Sequence, residues 1–281
     1  MLLAEAAARI CEADAILVGA SNGLSISEGL HLFADNKAFQ ELFGDVREKY
    51  HLHSILACMC ANWPTEEEKW SFWARLIGHY CLAYTPTSLM RDLAALLAGR
   101  DHFIVTSNGE GHFARCGFEE ERIFEIEGNW LFMQCARACH ETLYKTEDTV
   151  RTMLASLQES GRIGEELIPK CPVCQGPMQV HAATDEHFLP DRDGNERLST
   201  FLDRVRDKRL CVLELGIGSR NQLIKAPFMR LVASLPKASY VTINLGEICI
   251  ADNIRDRATG LDGALNDIIP ALRRACERHR H

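Results

Sequence analysis

Four cysteines in this sequence form two close pairs. Cys135 and Cys139 have three residues between them, and Cys171 and Cys174 have two. Thiolates from two such pairs can close a tetrahedral Zn²⁺ site. Four thiolates leave no open position, so such a metal is structural rather than catalytic. Pro172 stiffens the second knuckle, and Gly176 suits the turn after it. The same spacing also fits two pairs of buried free thiols, and His140, next to Cys139, is the substitute ligand.

Three apolar runs each end in a turn of small residues. Residues 15–18 lead into Gly19-Ala20-Ser21-Asn22-Gly23-Leu24-Ser25, residues 102–105 into Thr106-Ser107-Asn108-Gly109-Glu110-Gly111, and residues 210–215 into Gly216-Ile217-Gly218-Ser219. Open parallel sheets bind ligands at the carboxyl ends of their strands. Small residues there let backbone N–H groups approach a pyrophosphate, helped by the helix N-terminus behind them. One such turn also fits an ordinary strand-to-helix connection; three in one chain point to a nucleotide.

The elements that must position these turns follow from periodicity. Residues 4–13 predict a helix with Leu and Ala on one face and acids on the other. Residues 39–98 are helical in pattern, with Thr65 placed to cap a helix that starts with Glu66, Glu67 and Glu68. A break at residues 84–87 precedes a Leu- and Ala-rich helix that Gly99 ends. Residues 239–244 predict a fourth strand. Residues 133–200 show little apolar periodicity and read as loop at residues 191–195. Strands alternating with helices predict an α/β fold with a Rossmann-like parallel sheet.

A chain of 281 residues allows one large domain, or a domain with an insert, with a proper core. Its net charge of -8, with the one basic cluster confined to residues 273–281, argues against a nucleic-acid partner. No apolar run is long enough to span a membrane, and no long basic amphipathic stretch suits a membrane surface. The start, Met1-Leu2-Leu3-Ala4-Glu5, lacks the basic and apolar regions of a signal peptide, so a cytoplasmic location is expected. Cys58, Cys60, Cys81, Cys211 and Cys249 sit among apolar residues and read as small core residues.

Taken in order, these motifs resemble those of the sirtuins. The first turn, followed by Gly29, is similar to the first NAD loop of that family. Residues 106–111 resemble its Thr-Gln-Asn-Ile-Asp-Gly motif, and Glu125-Ile126-Glu127-Gly128 stands where sirtuins carry Glu-Leu-His-Gly. The cysteine pairs follow in the family's order, then Gly216-Ile217-Gly218-Ser219 for its Gly-Thr-Ser loop and Ile243-Asn244 for its ribose-holding Ile-Asn. The nearest subgroup is the class M sirtuins of macrodomain-linked operons. Glu68-Lys69-Trp70, Trp73-Ala74-Arg75, Glu127-Gly128-Asn129-Trp130 and Ile243-Asn244-Leu245-Gly246-Glu247 resemble theirs.

The resemblance implies one sirtuin-like catalytic domain over residues 1–281. A Rossmann-like lobe takes residues 1–38, 83–131 and 201–281, a helical insert 39–82 and a zinc module 132–200. NAD and Zn²⁺ are the implied ligands. Gly19, Ala20, Ser21, Gly23, Ser25 and Gly29 would line the phosphates. Gly216, Gly218, Ser219, Asn244 and Leu245 would line the adenosine half, and Ser107, Asn108, Glu110 and Glu127 the nicotinamide ribose, with Asn108, Glu110 and Glu127 catalytic. The implied activity is transfer of ADP-ribose to a protein acceptor, for class M a lipoyl-carrier protein, with any macrodomain hydrolase on a separate chain. The alternatives are an NAD-dependent lysine deacylase and a non-catalytic NAD or ADP-ribose binder.

The departures bear on chemistry. Glu127 takes the position of the catalytic histidine. A carboxylate there can accept a proton from a ribose hydroxyl or from an incoming acceptor, or stabilise the cationic ribose formed as nicotinamide leaves. A solvated acid after a strand is the plain alternative. Glu110 replaces an aspartate, Ser21 a glycine, and Gly29-Leu30-His31-Leu32-Phe33-Ala34 lacks the arginine of Gly-Ile-Pro-Asp-Phe-Arg. His112, one residue short of a family histidine, reads as a surface or packing residue, the Trp and Phe residues of 63–73 as core, and Asp252 as either a contact to adenine-side groups or a solvent-facing charge.

Overall fold

The computed structural model describes residues 1–279; Arg280 and His281, the end of the basic C-terminal stretch, lie outside the described residues. Ala15–Ala20 (β1) is buried at every position, as a strand covered on both faces requires. His102–Thr106 (β2) and Ile123–Glu125 (β3) follow, then Gly128–Cys135 (β4), Tyr144–Lys145 (β5) and Met178–Ala182 (β6), then Leu210–Leu215 (β7), Ser239–Asn244 (β8) and Ala258–Asp262 (β9). Six of these form one sheet in the order β3-β2-β1-β7-β8-β9, every pair parallel. The chain builds outward from β1 in both directions. The carboxyl ends of β1, β2 and β7 therefore open on the crevice where the strand order reverses.

The helices are Leu2–Glu12 (α1), Asn22–Ser27 (α2), Lys37–Tyr50 (α3), Ile55–Met59 (α4), Glu66–Ile77 (α5), Ser88–Leu97 (α6), His112–Arg115 (α7), Glu147–Ser160 (α8), Arg192–Val205 (α9), Lys225–Ser234 (α10) and Leu265–His279 (α11). Side chains alternate across the sheet with period two. Ile16, Val18, Ile104 and Leu213 face a core shared with α1, α6 and α11. Leu17, Phe103, Val105 and Val212 face a second core shared with α9 and α10.

A smaller lobe forms around the antiparallel sheet β5-β4-β6. Its core joins Phe39 and Phe43 of α3, Trp70, Phe72 and Trp73 of α5, and Val150 and Met153 of α8 to Trp130, Met133 and Val180 of the sheet. The tryptophans and phenylalanines of residues 70–73 are thus core residues. Thr65 accepts a hydrogen bond from Glu68 N (3.3 Å), so α5 begins on its expected cap with three acids at its positive end.

Residues 191–195 are not a loop. Asp191 accepts a hydrogen bond from Gly194 N (2.7 Å) and starts α9. The pattern hides this helix because only Gly194, Phe201 and Val205 of its fourteen residues are buried. Cys58, Cys81 and Cys211 are core residues as expected, but Cys60 and Cys249 are exposed: Cys60 follows α4, and Cys249 lies in the connection after β8. No helix among the described residues is long and apolar enough to cross a membrane.

Candidate active site between the two lobes

The three small-residue turns meet through direct bonds. Ser21 N donates to Leu215 O (3.3 Å), and Gly23 N donates to Gly216 O (2.9 Å). A Cβ on Gly23 would stand 2.5 Å from the Gly216 Cα, so the first and third turns touch backbone to backbone only because both residues are glycine. The Ser107 hydroxyl donates to Ser21 Oγ (2.9 Å), and the Asn221 amide donates to Ser21 Oγ (2.7 Å) and to Ser107 Oγ (3.3 Å). Asn221 thus ties all three turns together. Its contacts lie 200 and 114 residues away along the chain, and no local pattern reveals them.

The other first-turn residues take distinct places. Gly19 lies inside β1, where a Cβ would stand 2.6 Å from the Phe228 ring, so its smallness serves strand–helix packing. Ala20 closes β1, with its carbonyl accepting from Ser107 N (3.2 Å). Gly29 has φ of +97° after α2, a conformation that favours glycine. On the far side, Ser219 donates to Glu247 Oε2 (3.0 Å), and the Asn244 amide donates to Glu247 O (2.9 Å). Gly218 has open space around it, and Leu245 is exposed. Asp252 is exposed and pairs with Arg255.

Asn108 is buried, and its amide donates to Ser21 O (3.2 Å). Its Oδ1 is buried without a hydrogen-bond partner, a costly state for a polar atom unless a ligand completes it. An unsatisfied acceptor at three converging strand ends fits a nucleotide ligand. Glu110 is buried too and accepts from the Ser25 hydroxyl (2.5 Å). Burial pushes its carboxyl up, opposed by the charge of His112 and the Ser25 hydrogen bond.

Glu127 lies in the connection between β3 and β4. Its backbone is fixed on both sides: Ile126 N donates to Thr106 O (2.9 Å), and Ala183 N donates to Glu127 O (3.0 Å). Its side chain is half-buried on the wall of a cavity of about 330 Å³, together with Asn22, Ser107, Gly109, Trp130, Arg220 and Asn221. Burial raises its pKa, and a hydrogen bond with Ser107 opposes the rise. Phe33, Leu56 and Leu223 also line this cavity and are exposed. A separate cavity lined by Glu125, His181 and Asp191 contains none of the three turns.

The four cysteines come together at one end of the small lobe. Their sulfurs all lie within 4.8 Å of one another, with Cys135 to Cys174 and Cys139 to Cys171 each at 3.6 Å. Zn–S bonds of about 2.3 Å in a tetrahedron place sulfurs about 3.8 Å apart, so the donor set fits Zn²⁺. His140 is not in this set; its Nδ1 lies 3.1 Å from Cys139 Sγ and its Nε2 2.9 Å from the Tyr144 hydroxyl.

A parallel sheet with three converging turns, beside a small lobe bearing a four-thiolate site, defines the sirtuin class of NAD-binding folds. Solved Sir2 structures share it. A Sir2 homologue–NAD complex superposes with a TM-score of 0.67 at 14% identity, over 99% of this chain and 94% of that one. A mutant Sir2 homologue in complex with ADP-ribose gives 0.67 at 14% identity, over 98% and 97%. No family model matches the sequence. Curated relatives do. A protein ADP-ribosyltransferase of Staphylococcus aureus is 30% identical, over 92% of this chain and 83% of its own length. A probable bifunctional ADP-ribose hydrolase/ADP-ribosyltransferase of Fusarium oxysporum is 26% identical over 74% of this chain, which spans 36% of that protein. The chain belongs to the sirtuin-type protein ADP-ribosyltransferases.

Proposed function

We propose that the chain is an NAD-dependent mono-ADP-ribosyltransferase in which Glu127 does the proton chemistry. The observation that carries this reading is the half-buried Glu127 carboxyl on the wall of the cavity where the three turns converge. NAD is the substrate that supplies ADP-ribose. Nicotinamide leaves with the electron pair of its bond to ribose, the acceptor nucleophile bonds to the same ribose carbon, and the acceptor's proton passes to Glu127. Ser107, Asn108 and Glu110 hold the nicotinamide-ribose end, the first turn the phosphates, and Gly216, Gly218, Ser219, Asn244 and Leu245 the adenosine half. The domain division given above is part of the same reading.

For the acceptor we propose a lipoylated carrier protein. Exposed Phe33, Leu56 and Leu223 beside Glu127 suit a thiol or disulfide carried on a hydrocarbon arm. A separate macrodomain hydrolase would reverse the modification; the Fusarium relative's name joins a hydrolase to a transferase. Twelve cysteines, four of them gathered as one metal-ligand set, suit a reducing compartment, and we place the reaction in the cytoplasm.

The test incubates the chain with NAD and either a lipoylated carrier protein or an acetyl-lysine peptide. Intact mass and free nicotinamide are then measured. A gain of one ADP-ribose on the carrier supports the reading. Loss of acetyl from the peptide, with no gain on the carrier, would replace it with deacylation.

A further inference from the structure

Behind Glu110 lies a closed set of polar groups. The side chains of Glu28, Glu110 and His112 are 1%, 4% and 4% exposed. His112 Nε2 lies 2.8 Å from the Tyr80 carbonyl oxygen, and Nδ1 lies 2.9 Å from Glu28 Oε2 and 3.9 Å from Glu110 Oε1. A carbonyl only accepts, so Nε2 carries a proton. Nδ1 faces one Glu28 oxygen at hydrogen-bond distance while the other accepts two hydroxyls, a geometry that suits a proton on Nδ1 as well. Both nitrogens are then donors, and the ring is an imidazolium.

The rest of the shell supports that charge. Glu28 Oε1 accepts from the Tyr84 hydroxyl (2.7 Å) and from the Thr87 hydroxyl (2.8 Å), as a carboxylate would. The Tyr84 ring stacks on His112 with centroids 3.6 Å apart, closing one ring face to water. Tyr84, Cys81 and Cys116 are the neighbouring titratable groups. Burial pushes all three up and keeps them neutral. Arg91, Arg115 and Glu125 act on this region through charge alone. Burial alone would lower the His112 pKa, but the bond to Glu28 and the charges of Glu110 and Glu28 raise it on balance.

We propose that His112 is a positioning residue: an imidazolium pinned by Glu28 that keeps the buried Glu110 ionised beneath the nicotinamide-ribose pocket. Without the ring's proton, two buried carboxyls would face each other across a neutral ring, and one would take up a proton. With it, Glu110 stays negative where positive charge develops on the ribose. The placement of that pocket rests on the proposed function; the protonation states do not.

The full chain, labelled with ¹⁵N-histidine and ¹³C-glutamate, tests this by NMR titration. In the wild type both His112 nitrogens should carry protons from pH 6 to 8, and a bare ring nitrogen at pH 7 would overturn the proposal. In Glu28→Gln, His112 should lose its second proton near neutrality. In His112→Gln, the Glu110 pKa should rise by about 1–3 units, while the KM for NAD changes little. A Glu110 titration unmoved by His112→Gln would also overturn it. A wild-type chain that released no nicotinamide would instead count against the functional reading, because the titrations require no turnover.

Discussion

Asn221 reaches from the turn after β7 to the Ser21 hydroxyl, 2.7 Å away in the turn after β1. Its Nδ2 also lies 3.3 Å from the Ser107 hydroxyl, and Ser107 shares the cavity wall with Glu127. The third turn therefore connects to the reacting end of the cleft through two serines. Asn221→Ala should leave the fold intact, since the residue is only half-buried. It should raise the KM for NAD about tenfold, the equivalent of about 1.4 kcal/mol, near the worth of one or two hydrogen bonds. Steady-state nicotinamide release against NAD concentration checks this, and an unchanged KM would show that the three turns hold together without Asn221.

Glu127 supplies the second prediction. Glu127→Ala should lower nicotinamide release or transfer by about 10²–10⁴-fold, the usual contribution of a positioned base. NAD binding, followed by calorimetry, should change little. The active form is the carboxylate, and burial raises its pKa. Activity should therefore fall on acidification at a pH above the ordinary glutamate range, and Glu127→Gln should lack that limb. A limb that survives in Glu127→Gln would assign it to another group.

Zinc removal should act on the fold before it acts on chemistry. Cys135 and Cys171 are fully buried in the small-lobe core, next to Met133 and Met178. The chain should carry one zinc per molecule by elemental analysis. Cys171→Ser should abolish it and lower Tm by roughly 10 °C, as a loss of about 3–4 kcal/mol would. A Cys171→Ser protein with full Tm would mean that the thiols pack without metal.

The contrast between local and distant partners explains what can be read from the residues alone. The strands β1, β2, β7 and β8 are legible because each is a mainly apolar stretch that runs into Gly, Ser or Asn. β3 has three residues, and β9, Ala-Thr-Gly-Leu-Asp at the sheet edge, buries alternate positions, so neither stands out. α8 buries only Val150 and Met153 and leaves too thin a stripe for a periodicity to show. The zinc ligands are legible because they come in local pairs. Glu28 and His112 are 84 residues apart, so their bond exists only once β1 and β2 lie side by side. His112 therefore reads as a packing or surface residue from its neighbours in sequence.

A buried ion pair anchors the other end of the site. Glu214 in β7 is fully buried, pairs with Lys225 at the start of α10, and accepts from Tyr240 (2.5 Å) and Thr242 (2.9 Å). Lys225→Met would leave that carboxylate without its cation. It should destabilise the chain by roughly 3–5 kcal/mol, and the double variant Glu214→Gln/Lys225→Met by clearly less. Urea unfolding of Glu214→Gln, Lys225→Met and the double variant measures the coupling, and additive losses would show that the pair acts as two independent groups.

Glu125, two residues before Glu127, gives a pH signature of its own. Burial pushes its carboxyl from the ordinary 4.5 to about 8, although the Asn129 amide donates to it (2.7 Å). Its pKa is higher folded than unfolded, so its stabilising contribution is complete below about 4.5 and is lost as pH rises through about 8. The wild type should therefore lose stability between pH 6 and pH 9, while Glu125→Gln, which cannot ionise, should not lose that part. Relative to Glu125→Gln, the wild type should lose about 1–2 kcal/mol over that range, after discounting for partial solvent screening. The measurement is urea unfolding at pH 6, 7.5 and 9. His112, whose pKa is also raised, gives a slope of the same sign in both proteins and cancels in the comparison. Parallel stability curves for the two proteins would place the Glu125 pKa near its ordinary value and the carboxylate in contact with water.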